Sequence, residues 1–287
     1  TAPDGTAQRA SAPADAQGEL SLVVERPQLW WPNGYGAQPL YQAEVRLLTG
    51  GTPIDTRRYQ LGLRALELRQ HDDEWGRSFT FAVNGQPLFA KGANWIPADS
   101  FPARVTDAQL EHLIKSAADT HMNMLRIWGG GYYESEAFYD LCDRYGLLIW
   151  QDFMFACAVY PLHDQQFVAG VAPEVAEQVR RLRHRACLAL WCGNNELEVA
   201  WAGWGWDKPA DADLKAGYAR FFHATLPAWV AEHDPERSYW PSSPSSDQQF
   251  ADPNGDARGD THLWDVWHAL KPFEHYLTSL SLFVSAF

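Results

Sequence analysis

Leu188-Ala189-Leu190-Trp191-Cys192 is an apolar run of strand length that ends in Gly193-Asn194-Asn195-Glu196. Such a run reads as a buried strand that delivers a carboxylate to its C-terminal tip, where a parallel α/β protein keeps its chemistry. A second apolar run, Leu282-Phe283-Val284-Ser285-Ala286-Phe287, closes the chain. Two Trp-rich strand candidates lie between them.

The run at 188–196 is one unit of a strand–helix alternation that starts near Phe79. Phe79, Phe81 and Val83 alternate into Asn84-Gly85, a strong hairpin signal. Strands are then predicted over 87–95, 123–128, 147–153, 188–196, 238–241, 261–267 and 282–287. Helices are predicted from the capping box at 106–109, over the Phe138–Leu141–Cys142–Tyr145 face stopped by Gly146, and over 173–185 and 214–230. Seven strands of this kind imply a (β/α)8 TIM barrel whose eighth strand is not in the chain, with Glu196 at the fourth tip and Ala286 at the seventh.

Ahead of the barrel, Leu20-Leu22-Val24 and Tyr41-Ala43-Val45-Leu47 alternate. Gly50-Gly51 is a turn into a partner over 54–63, and Trp30-Trp31-Pro32-Asn33-Gly34-Tyr35-Gly36 is a turn-rich loop. The pattern is that of an immunoglobulin-like β-sandwich with too few strands to close two sheets. The expected division is a Pro/Ala-rich linker or partial segment over 1–18, the partial sandwich over 19–76 and the incomplete barrel over 77–287. Thr1 is not a start codon's residue and the methionines stand at 122, 124 and 154, so a processed or partial piece is expected.

The net charge of −13, with scattered Lys and Arg, argues against a nucleic-acid partner. No apolar run is of membrane-spanning length, and no signal peptide is visible. Cys142, Cys157, Cys187 and Cys192 show neither CxxC nor zinc spacing and are expected as free thiols. The histidines show no HExxH, and neither a metal nor a cofactor is expected. A Walker loop and GxGxxG are absent, which disfavours phosphate chemistry.

The strand tips carry the candidate site: Asn94, Arg126, Trp128, Asp152, Asn195, Glu196, Trp240, His262, Trp264 and Trp267, with Trp204 beyond the fourth tip. Aromatic faces stack on sugar C–H surfaces, and Asn, Arg, His and carboxylates bind hydroxyls. Glycosidic cleavage needs two carboxyl groups, an acid and a nucleophile or base. Glu196 suits the acid, with a structural carboxylate as the alternative. Asp152 and Asp99 read as orienting groups, and Trp150 and Trp191 as core. Ser285 lies outside GxSxG and has no triad, so it is not taken as a nucleophile.

These residues resemble the β-mannosidase branch of glycoside hydrolase family 2. The likeness is carried by Gln28–Gly36, Lys91–Asp99, Arg126–Glu134, Trp150–Cys157, Trp191–Glu196 and Pro241–Pro244, and runs from about residue 20 to the end. It implies a retaining exo-hydrolase of terminal β-D-mannose acting on β-mannoside oligosaccharides or glycans. Glu196 would be its acid/base, Asn195 would bind the 2-hydroxyl, and Trp128, Trp204 and Trp264 would line the pocket. Related exo-glucosaminidases usually carry Asp where Glu196 stands. The family reads Ser-Glu-Phe or Ser-Glu-Tyr where this chain has Ser285-Ala286-Phe287, so Ala286 occupies the nucleophile's position and the chain is expected to be inactive. The rival readings are an exo-β-glucosaminidase or β-galactosidase-like relative, and a non-catalytic carbohydrate-binding protein. The family's flanking β domains are expected to pack on the barrel, and the periplasm or secretion, otherwise the cytoplasm, is the expected location.

Overall fold

The computed structural model describes residues 1–14 and 20–287; the expected linker therefore lies partly outside the described residues. Its first residue is tied down: Thr1 donates to the Gln42 carbonyl at 2.7 Å and accepts from the Gln42 amide at 2.9 Å. The expected strand at Leu20, Leu22 and Val24 is not formed. All three side chains are exposed, and among the described residues no neighbouring strand pairs with their backbone.

Strands β1 (Tyr41–Thr49) and β2 (Thr52–Leu61) form an antiparallel hairpin. Gly50 and Gly51 both have positive φ, 56° and 84°, as a two-residue turn matched to strand twist requires. Next come β3 (Leu66–Arg69), the small β4–β5 hairpin (Asp72–Asp73, Gly76–Arg77), β6 (Thr80–Val83) and β7 (Gln86–Pro87). β6 pairs with both β3 and β7, so one sheet runs across residue 76.

The centre of the molecule is a five-stranded parallel sheet of β8 (Gly92–Trp95), β9 (Met124–Ile127), β10 (Leu148–Asp152), β11 (Leu188–Cys192) and β12 (Tyr239–Trp240), laid side by side in chain order. β13 (Thr261–His262) and β14 (Val284–Ala286) form a separate parallel pair. This arrangement fits a partial barrel. Helices α1 (Asp107–Asp119), α2 (Glu136–Tyr145), α3 (Gln165–Leu182), α4 (Leu197–Gly203), α5 (Ala212–Arg220) and α6 (Leu226–His233) fill the connections.

Several elements differ from expectation for local reasons. α3 starts at Gln165, because the Asp164 carboxylate caps it at the Gln166 amide (2.8 Å), and Pro173 is accommodated inside it. The single helix expected over 214–230 is split by a π-helical turn, Phe221–Thr225, between α5 and α6. Pro227 explains the break, since it has no N–H for the His223 carbonyl and its ring crowds that group. The strand expected over 188–196 stops at Cys192. There the Asn194 side chain binds Tyr218 Oη, the Pro241 carbonyl, the Leu197 amide and Ser242 Oγ at 2.7–3.1 Å, drawing the chain off the sheet.

Two cores flank the sheet. One face packs on the helices through Leu125, Ile127, Ile149 and Trp191, while the other presents Met124, Leu148, Trp150, Leu190, Cys192 and Trp240. That second face is closed at its lower end by Phe79, Phe81 and Val83. The Phe79 ring centroid lies 4.9 Å from Trp240 and 5.8 Å from Trp150. Trp30 is fully buried beside them and donates its indole N–H to the Asp143 carbonyl at 2.7 Å. Asn33 from the same loop caps the end of α1 at the Ala118 and Met122 carbonyls.

Removal of a buried ring from this floor leaves a cavity the sheet cannot fill. Phe81→Ala is therefore expected to destabilise by ~3–5 kcal/mol in urea unfolding. Trp75→Ala, at a residue 73% exposed, is expected within ~0.5 kcal/mol of the parent.

Candidate active site

The inward face changes character along the strands. Met124 is followed at the next inward position by Arg126, and Leu148 and Trp150 by Asp152. The two-residue period places both charges on the same face, at the C-terminal ends, above the apolar floor. Arg126 and Asp152 are buried and bonded at 2.8 Å. Arg126 also donates to Asn94 Oδ1 (3.2 Å) and Asn195 Oδ1 (2.8 Å). Asp152 accepts from the Gly129 amide and the Trp150 indole, both at 3.0 Å. Burial holds the Asp152 carboxyl above its ordinary value, a rise that Arg126 and the Gly129 amide offset only in part. Arg126 keeps its proton, so a full positive charge faces the Asp152 carboxyl in this buried pair.

Glu196 is not on β11. It precedes α4 at φ 66°, in the left-handed region, held by its amide on the Ser243 carbonyl (2.8 Å) and its own carbonyl under Ala200 N (3.0 Å). That turn aims the carboxylate back over the sheet. Oε1 meets His262 Nδ1 at 2.8 Å and the Trp264 indole N–H at 3.3 Å. Oε2 accepts from Asn195 Nδ2 (3.2 Å) and Cys157 Sγ (3.3 Å).

Burial alone would push Glu196 up; hydrogen bonds from His262, Cys157 and Trp264 and the charge of a protonated His262 outweigh it and hold the carboxyl at about 2. Burial pushes His262 down, and Arg126 adds to this against Glu196 and Asp260. Both directions meet in one contact, the 2.8 Å hydrogen bond between Nδ1 and Oε1, which favours the ionised Glu196 while burial opposes a full charge on His262. Burial and the neighbouring Glu196 push the Cys157 thiol up to about 11, so it faces the carboxylate as S–H.

Ala286 is buried and lies opposite His262 in the β13–β14 register, with its carbonyl accepting the Leu263 amide at 2.8 Å. Asn94, Arg126, Asp152, Asn195, Glu196, His262 and Trp264 form one hydrogen-bonded group. The other aromatic candidates stand apart from it. The Trp128 ring lies over Gly130, where an added Cβ would come within 2.0 Å of it. Trp204 sits at the end of α4, edge-on to Trp206 at 5.9 Å, and Trp267 is 70% exposed. Trp240 is buried below the site, its indole N–H bonded to Asp260 at 2.8 Å.

Sequence reasoning missed Asp260, Cys157 and the acceptor role of Ser243. Cys157 and Ser243 lie inside stretches that carry the family likeness but were given no role of their own, and Asp260 carries no motif. Ser285, set aside as a nucleophile, donates to Asp260 at 2.5 Å. The four cysteines are free, three of them buried and Cys157 exposed. Among the described residues there is no cluster of His, Cys, Asp and Glu able to hold a metal, and no helix long and apolar enough to cross a membrane.

The family model for glycosyl hydrolases family 2 matches residues 2–64. A β-D-mannosidase structure from Dictyoglomus thermophilum superposes with a TM-score of 0.87 at 41% identity, over 93% of this chain and 32% of that one. The chain belongs to glycoside hydrolase family 2. Among curated members, the β-mannosidase of Bos taurus is 42% identical over 259 residues, covering 86% of this chain and 29% of its own length. The β-mannosidase B of Aspergillus clavatus is 38% identical over 272 residues, covering 92% and 32%. This family 2 chain thus spans about a third of the length of the relatives it matches. An exo-chitosanase from Amycolatopsis orientalis, 20% identical with a TM-score of 0.59 over 77% of this chain and 24% of that one, shares the fold.

The lowered Glu196 sets a pH window. Its contribution to stability is complete above the ordinary carboxyl value of 4.5 and is lost as pH falls toward about 2. The Tm difference between the parent and Glu196→Gln is expected to be constant above pH 4.5 and to shrink below it. A difference unchanged down to pH 2.5 would contradict this assignment.

Proposed function

We propose that this chain carries the site of a retaining exo-β-D-mannosidase, acting on terminal non-reducing β-D-mannose, with Glu196 as acid/base and position 286 as the nucleophile's place. The observation that carries the reading is the register of β14 on β13. Residues paired across neighbouring strands share a face, so a side chain at 286 belongs to the same face as His262, whose Nδ1 touches Glu196. A carboxylate there would stand across the site from Glu196, as a retaining pair ~5–5.5 Å apart requires. Ala286 has no such group, and the chain as it stands is inactive in this reading. The β-mannosidase names of the relatives at 38–42% identity support mannose as the sugar.

In the form with Glu at 286, that carboxylate attacks the anomeric carbon while Glu196 protonates the leaving oxygen. Glu196 then takes a proton from water, and mannose leaves with retained configuration. Asn195 suits the 2-hydroxyl, because its amide lies between Arg126 and Glu196 with its orientation fixed at both ends. Arg126, Asn94, Asp152 and His262 hold the floor of the sugar site. Trp264 joins them through Glu196, and in this reading Trp128, Trp204 and Trp267 serve the sugar from outside that bonded group. Trp240 acts beneath it through Asp260. The strands are read as seven of an eight-stranded barrel, and the β1–β2 region as part of an immunoglobulin-like domain.

A low Glu196 suits a base better than an acid, and here it has no anion facing it from 286. Ala286→Glu is expected to raise the Glu196 titration, seen by carboxyl 13C NMR, because a second carboxylate disfavours its charged form. The same substitution should increase hydrolysis of an aryl β-D-mannoside by on the order of 10³-fold or more, with retention. Azide supplied to the parent should yield α-mannosyl azide. A β-linked azide would reverse the two roles, and equal turnover by parent and Ala286→Glu would remove position 286 from the reaction.

A further inference from the structure

Asp260 has no part in the scheme above, yet it is fully buried and accepts four hydrogen bonds. Oδ1 takes the Trp240 indole N–H (2.8 Å) and the Ser245 amide (3.0 Å); Oδ2 takes Ser243 Oγ (2.6 Å) and Ser285 Oγ (2.5 Å). Ser243 is also buried, and its Oγ lies 3.0 Å from His262 Nε2. A hydroxyl has one proton to donate. Directed at His262, it would leave the Ser243 oxygen facing a buried carboxylate 2.6 Å away with no hydrogen between them. Directed at Asp260, it makes Ser243 an acceptor and calls for a proton on Nε2. Arg126 Nη1 lies 3.5 Å from Nε2, at the edge of hydrogen-bond reach, and does not displace the Ser243 contact.

With the proton on Nε2, a neutral His262 has a bare Nδ1, and this atom is 2.8 Å from Glu196 Oε1. Two acceptors at that distance require a hydrogen between them. We propose that Asp260 and Ser243 are positioning residues that fix the His262 proton on Nε2, so that Nδ1 and Glu196 Oε1 share the single proton the acid gives up. The inference rests on Glu196 being the acid/base. In the first half-reaction an O–H bond forms on the leaving oxygen and the shared proton is lost, leaving a carboxylate. In the second, water loses a proton to the same pair. The charged and titratable groups about the pair are Arg126 on β9, Asp152 behind it on β10, Cys157 in the loop after β10 and Asp260 ahead of β13. Arg126 opposes a lasting positive charge on His262, which keeps the proton available to Glu196.

Long-range 1H–15N correlation on the 15N-histidine-labelled chain between pH 5 and 9 reads the tautomer without any turnover, with His262→Gln identifying the signal. The expected result is a protonated Nε2 and an Nδ1 shift intermediate between bare and protonated. Asp260→Asn, whose amide can donate to Ser243 and turn its hydroxyl to Nε2, should move the proton to Nδ1. Ser243→Ala should do the same. Ser285→Ala removes the other hydroxyl on Oδ2 without touching His262 and should leave the tautomer unchanged. A bare Nε2 with protonated Nδ1 in the parent overturns the proposal.

Its tie to the reaction is read from azide-supported turnover of two aryl β-D-mannosides. Asp260→Asn should slow the 4-methylumbelliferyl substrate, which needs an acid, at least tenfold more than the 2,4-dinitrophenyl substrate, which does not. Equal slowing overturns the acid-linked role. Absence of turnover from every protein overturns the mannosidase reading alone, and the tautomer still decides the relay.

Discussion

The buried Arg126 guanidinium is the constraint on which the rest of the site depends. An ion pair taken out of water costs several kcal/mol of desolvation per ion and is tolerated only when its remaining hydrogen-bonding groups are matched. Arg126 finds those partners on Asp152, Asn94 and Asn195, and lies at the edge of reach of His262. These partners come from the ends of β8 and β10, the loop after β11, and β13. A shift of any one of these segments by a residue would strand a buried charge or amide, so the pair fixes their relative register as well as its own geometry.

The site is accordingly a polar layer on an apolar plug. Below it, Phe79, Phe81, Trp150 and Trp240 pack ring against ring, and the indole N–H groups of Trp150 and Trp240 point upward into Asp152 and Asp260. Each of these tryptophans serves both layers, with its ring in the floor and its single donor on a carboxylate of the site. The two carboxylates in turn orient Arg126 on one side and Ser243 and His262 on the other. Glu196 lies above both, and its carboxylate keeps an edge open to solvent where Asp152 has none.

Much of this was legible in the sequence because it follows short-range rules. The capping box at Thr106–Gln109, the Gly146 helix stop, the Asn84-Gly85 and Gly50-Gly51 turns and the apolar runs of β9, β10 and β11 all appear as read. The family also follows from the motifs at the strand tips. What could not be read is where side chains end the strands. Asn194 gathers four partners from four parts of the chain and thereby stops β11 early. Nothing local to Gly193-Asn194-Asn195 announces Tyr218, Pro241 or Ser242. The unformed strand at Leu20–Val24 and the π-turn before Pro227 are failures of the opposite kind, where a pattern had no partner to pair with or a backbone group had no N–H.

The sequence by itself determined the parallel sheet with its covering helices, the identity of the chemical groups at the strand tips and the absence of a carboxyl side chain at 286, since these rest on two- and 3.6-residue periods and on composition. Only the tertiary structure decided which of those groups touch. It put Glu196 off the strand in a left-handed turn, bonded it to His262, and linked His262 through Ser243 to Asp260, 64 residues from Glu196 by subtraction of their numbers. Hydrogen bonds act over about 3 Å, whatever the separation along the chain. The partners of the Glu196 carboxyl are therefore set by neighbours that only folding supplies.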